Sequence, residues 1–130
     1  MFNQVISATL IISFLLPQLI QAAINQDTLK GGALGIAQCQ HIRGRKTKVI
    51  WRVIINDPNI PINATHFRFQ MSDGSARDIY NAVAPTVDYQ TTEVFDELPN
   101  QVAISGEAYS IRLSGTHRYS LRKPLTVQCD

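Results

Sequence analysis

The chain has 130 residues, 45% of them hydrophobic, with a formal net charge of +2. That apolar content excludes an intrinsically disordered chain, and a chain this short buries one core and not two. The small net charge makes no electrostatic case for a nucleic-acid partner.

Val5 to Leu16 is an uncharged, mainly apolar run that ends at Pro17 and Gln18. A helix needs roughly 20 apolar residues to cross a bilayer core, so the run is too short for an ordinary span. It has the length of a signal-peptide apolar region, and the small residues Ala22 and Ala23 follow it. No Lys or Arg precedes it. The segment 1–23 therefore reads as a signal peptide, against an uncleaved anchor or a buried helix. The expectation is a secreted chain with no transmembrane span after cleavage, an N-terminal segment over 24–32 and one domain over 33–130.

From residue 33 the pattern has period two, the signature of half-buried antiparallel strands. Gly35, Ala37 and Cys39 form a small inward set. Val49, Trp51, Val53 and Ile55 alternate with Lys48, Ile50, Arg52 and Ile54. Phe67, Phe69 and Met71 alternate with His66, Arg68 and Gln70. Val87 and Tyr89 form a shorter set. Tyr109, Ile111 and Leu113 alternate with Ser110 and Arg112, and Leu125, Val127 and Cys129 with Thr126 and Gln128. The inward reading puts Trp51, Phe67, Phe69 and Tyr109 in the core. Asp57-Pro58, Asp73-Gly74, Leu98-Pro99-Asn100, Ser114-Gly115 and Lys123-Pro124 mark the breaks. Ser75 to Val83 fits either a helix or the return strand of a hairpin turning at Asp73-Gly74; the hairpin is the preferred reading.

The two cysteines, Cys39 and Cys129, read as a disulfide in a secreted chain. Closing so long a loop removes about 4–5 kcal/mol of unfolded-state chain entropy. The alternative is a nucleophilic Cys39 assisted by His41, two residues away on one strand face. An oxidising compartment would consume that thiol.

Taken together, these stretches resemble a fibronectin type III domain, an immunoglobulin-like β-sandwich. Val49-Ile50-Trp51 resembles its strand B with the core Trp, and Phe67-Arg68-Phe69 its strand C. Leu98-Pro99 with Gly106-Glu107-Ala108-Tyr109 resembles the E–F corner. Tyr109 to Leu113 resembles strand F, and Pro124 to Val127 strand G. The likeness runs over about residues 33 to 128. It implies an all-β, antiparallel two-sheet sandwich of about seven strands. It also implies a Tyr109 hydroxyl bonded back to the backbone just upstream, although the stretch from Pro99 to Gly106 is longer than the family's corner. The family usually lacks a disulfide. In such a sandwich, strand G ends at the pole where strand A ends, which would bring Cys39 and Cys129 together.

Fold does not supply function, so a binding role rests on the loops. The expected A–B turn holds His41, Arg43, Arg45, Lys46 and Lys48. These groups suit a sulfated glycan or another anion, set against a merely solvated hairpin. His117, Arg118, Arg122 and Lys123 form a second basic set, expected at the F–G loop of the opposite pole, with Tyr119 either exposed there or in the core. Asn63-Ala64-Thr65 is a glycosylation sequon placed in the B–C loop. Asp88, Glu93, Asp96 and Glu97 make an acidic stretch without the spacing of a calcium loop. No nucleophile elbow, metal-spaced cluster or phosphate loop occurs, so no catalytic residue, metal or cofactor is expected. The reading is a secreted, non-enzymatic, monomeric binding module for an extracellular protein or an anionic glycan. The alternatives are a structural or adhesion subunit of an extracellular assembly and, third, a small secreted hydrolase.

Overall fold

The computed structural model describes residues 23–130. The expected signal peptide lies outside the described residues except for Ala23, which opens the first strand. Nine strands follow: β1 (Ala23–Lys30), β2 (Ala33–Ile42), β3 (Lys46–Ile55), β4 (Ile62–Met71), β5 (Ala76–Thr86), β6 (Asp88–Phe95), β7 (Gln101–Arg112), β8 (Gly115–Leu121) and β9 (Leu125–Gln128). The fold is all-β and every pairing is antiparallel.

The strand order is β5-β4-β7-β8-β1-β2-β3-β6, with β9 on β7. β7 is long enough to serve two partners. Its first residues pair β9 and its last pair β8, so β8 and β9 act as one strand broken at Arg122–Pro124. The sheet folds over on itself where Leu29 and Lys30 of β1 pair Leu121 and Ser120 of β8. One layer is β1-β2-β3-β6 and the other β5-β4-β7 with β8 and β9. Across the interior, Trp51 of β3 meets Phe67 of β4 edge to face at 5.2 Å, and Phe69 of β4 meets Phe95 of β6 at 6.0 Å.

Alternation builds this core. Val49, Trp51, Val53 and Ile55 are buried, as are Phe67, Phe69 and Met71, Ala37 and Cys39, and Leu125 and Val127. Within Ser75 to Val83 the chain is strand from Ala76 on, returning from a turn in which Gly74 has φ 102°. Cys39 and Cys129 are bonded, with Cα atoms 4.6 Å apart.

Four readings need correction. Residues 24–32, expected as a segment preceding the domain, join its sheet: most of them form β1, paired with β2 from Ala23↔Cys39 to Leu29↔Ala33. Only Leu29 of β1 is buried, so the segment gives no apolar alternation to read. Tyr109 is not in the core. Ala108 and Ser110 face inward, and Tyr109, Ile111 and Leu113 face out. A period-two pattern does not state its own phase, and a slip of one residue swaps the faces. Tyr109 also makes no corner bond: its hydroxyl lies 3.5 Å from the Glu107 carboxylate, and Gly106 is a mid-strand residue with φ 123°. Last, Val87 is exposed, leaving Tyr89 as the inward member of that pair.

Candidate functional site: the β2–β3 turn and the face of β4, β5 and β7

The β2–β3 turn keeps the expected basic residues together but leaves only some of them free. Arg43 and Arg45 are exposed at its tip. Gly44 and Arg45 both adopt left-handed backbone, with φ 79° and 59°. For Arg that conformation costs about 1 kcal/mol or more, since a Cβ crowds the following carbonyl. The base of the turn is tied down. His41 Nε2 lies 2.8 Å from the Pro99 carbonyl, the His41 amide donates to Asp130 O, and Lys46 is ion-paired with Asp96. Cys39 anchors the same end through its disulfide. Lys48 stays half-buried on the outer face of β3. His41 and Lys46 are therefore structural, while Arg43 and Arg45 are free to meet a partner.

The second basic set is not one loop. The β7–β8 turn comprises Leu113 and Ser114, and His117 and Arg118 lie on β8 beyond it. His117 Nε2 sits 3.0 Å from Gly31 O, and Arg118 pairs with Glu107 at 3.2 Å. Arg122 and Lys123 are exposed in the break before β9. Tyr119 takes the core alternative, with its hydroxyl donating to Ile60 O at 2.7 Å. Burial raises the pKa of that hydroxyl.

Asn63 belongs to β4 and not to the loop before it. Its amide nitrogen donates to Ile111 O and its carbonyl accepts from Ile111 N, both at 2.9 Å. The register of β4 against β5 shifts at this point. The acidic stretch is dispersed too. Asp88 holds Arg52, Asp96 holds Lys46 and Glu93 accepts from Thr91. Hydrogen bonding and charge from Arg52 and from Lys46 hold the Asp88 and Asp96 carboxyls below the usual carboxylate range. Among the described residues, no three His, Cys, Asp or Glu side chains converge as metal ligands would, and no helix is long and apolar enough to cross a membrane.

One feature escaped the sequence reading. The outer face of β4, β5 and β7 holds an open groove of about 380 Å³, lined by Ala64, His66, Tyr80, Ala82, Tyr109 and Ile111, with Thr65 and Asn81. Ala64 pairs with both Ala82 and Tyr109, and His66 pairs with Tyr80. The depression exists because two alanines meet across the strands between larger neighbours. That register is set by pairing and is invisible in the chain order. The one local signal is the outward apolar row Tyr109, Ile111 and Leu113.

No protein-family model matches the sequence, and no curated protein matches it. A solved structure designated Northeast Structural Genomics Consortium target SoR45 is similar at a TM-score of 0.42 and 12% identity, covering 81% of this chain and 83% of that one. A likeness at that level bears on neither ligand nor activity.

Proposed function

We propose that this chain is a secreted, fibronectin type III-like sandwich that works as a non-enzymatic binding module, meeting an anionic partner at Arg43 and Arg45. The partner class is a sulfated glycan or an acidic extracellular protein. The observation that carries the reading is Arg45 itself: a non-glycine residue held in left-handed backbone at the exposed tip of a turn whose base is fixed on several sides. Strained backbone of this kind persists where the surroundings over-determine it and gathers at functional positions. Two guanidinium groups on a fixed turn suit forked recognition of sulfate or carboxylate.

Two further points support the class of module. The strands that the resemblance assigns to A and B (β2 and β3) share one layer. Those assigned to C, F and G (β4, β7 and β9) share the other, as in immunoglobulin-like sandwiches. The disulfide is compatible with an oxidising, extracellular location.

Chromatography on immobilised heparin tests the proposal. The intact protein should be retained and elute with salt. Arg43→Ala with Arg45→Ala should elute at markedly lower salt, and Arg122→Ala with Lys123→Ala should not. Equal elution of the first pair and the parent would overturn the assignment.

A further inference from the structure

We propose that the groove on the outer face of β4, β5 and β7 is a second binding site, and that it takes a neutral pyranose ring of a glycan. It is separate from the β2–β3 turn and stands or falls without it.

The argument starts from what lines the groove. Its floor is methyl groups, those of Ala64 and Ala82. One wall is the Tyr80 ring, stacked on His66 with centroids 4.0 Å apart and planes 14° from parallel. Tyr80 is 70% exposed, and this stack gives its ring a neighbour on one face. The other wall is Tyr109 and Ile111, both on the outer face of β7. The Arg118 guanidinium sits 5.4 Å from the Tyr109 centroid and packs that ring from the β8 side. The walls thus stand prepared before any ligand arrives, which lowers the ordering cost of binding.

The charges around the groove are already matched. Asp78 accepts from Arg68 at 2.8 Å and lies 3.1 Å from His66 Nε2. Glu107 accepts from Arg118 at 3.2 Å and from Ser120 at 3.0 Å. A charged ligand would have to compete with these pairs, so the site suits a neutral one. Aromatic faces and a methyl floor ask for an apolar surface, while the Tyr80 and Tyr109 hydroxyls ask for hydrogen-bonding edges. A pyranose ring offers both, with C–H groups on one face and hydroxyls around the rim. The volume falls at the small end of the roughly 300–1,000 Å³ typical of ligand pockets, room for about one or two sugar residues. An apolar side chain of a protein partner would satisfy the floor and walls but leave the polar edges unused.

The inverted face of β7 points the same way. The chain spends Tyr109 and Ile111 on the outside and Ala108 and Ser110 on the inside of one strand. Departures from the apolar-in rule concentrate at functional surfaces.

The test is amide chemical-shift mapping of residues 23–130 with cello-, chito-, manno- and galacto-oligosaccharides as probes. A heparin hexasaccharide and the peptide acetyl-Pro-Pro-Tyr-Pro-Pro-amide complete the set. At least one neutral oligosaccharide should shift amides near Ala64–His66, Tyr80–Ala82 and Tyr109–Ile111. Tyr80→Ala should weaken that binding at least tenfold while leaving the unfolding temperature nearly unchanged, because Tyr80 is exposed. Ala82→Leu, which fills the floor, should abolish it. Shifts at these residues from the peptide or from heparin but from no neutral sugar would overturn the proposal, as would the absence of shifts from every probe.

Discussion

The side chain of Asn63 pairs with the backbone of Ile111 as another strand residue would, donating to its carbonyl and accepting from its amide at 2.9 Å each. The amide thereby supplies ladder bonds where the register of β4 slips. Removing a partner from such a pair leaves the other groups unsatisfied. Asn63→Ala should cost about 1–3 kcal/mol, read by urea unfolding, while Thr65→Val tests the sequon separately. The geometry also bears on modification. The paired proton is the one beside Oδ1, and a glycan on a trans amide occupies that position. A glycan there would displace the bond to Ile111 O, so treatment with an amidase that removes N-glycans should leave the protein's electrophoretic mobility unchanged.

Gly106 and Gly115 form a matched comparison. Both have positive φ, 123° and 135°. A Cβ on Gly106 would collide with the His66 carbonyl and lie 3.0 Å from Phe67 Cα, because β7 passes β4 there with no side chain between them. A Cβ on Gly115 would meet nothing within 4 Å. Gly115→Ala should cost only the backbone strain, about 1 kcal/mol. Gly106→Ala should cost about 3 kcal/mol or more, and thermal unfolding of the two variants side by side checks the difference.

How far the fold could be read from the chain follows from where bulk and polarity coincide. Trp51, Phe67 and Phe69 were legible because large apolar side chains alternate with Arg52, Arg68 and Gln70, and burial follows that contrast. β1 was not, since one buried Leu29 among polar neighbours carries no period. Tyr109 was misplaced because its strand puts the larger side chains outside. Of the basic turn, the sequence showed which residues gather but not that Asp96 and Pro99 would occupy Lys46 and His41. The groove depends on Ala64 lying opposite Ala82, a contact between residues far apart in sequence that only the register reveals.

Acid should weaken the fold through named pairs. The Asp88 and Asp96 carboxyls sit below their ordinary range because Arg52 and Lys46 bond and attract the charged forms, and Asp73 does so through the Ser75 amide and hydroxyl. Their folded pKa values lie below the unfolded value of about 3.9. The stability they add is thus present above about pH 4 and is lost as pH falls through the depressed values. The unfolding temperature should drop between pH 5 and pH 2. Asp88→Asn with Asp96→Asn should lower it slightly at pH 7 and flatten the drop; an equally steep fall in that variant would refute the assignment.

Reduction should matter more than any single surface pair. The Cys39–Cys129 bond closes a loop with a sequence separation of 90. Cys39→Ser with Cys129→Ser, or dithiothreitol on the parent, should cost about 2–5 kcal/mol in denaturant unfolding.

The same bond also decides how the molecule yields to tension. Ala23 lies opposite Cys39, and Cys129 precedes Asp130, so the described chain enters and leaves at one pole. A pull applied through Ala23 and Asp130 can unravel β1 and most of β2, but the covalent loop shields everything from Cys39 to Cys129. At about 3.4 Å per residue, the released length stops at roughly 50–60 Å in an atomic force trace. Under load the sandwich is a short tether with a hard stop, and reducing agent would turn that stop into full extension.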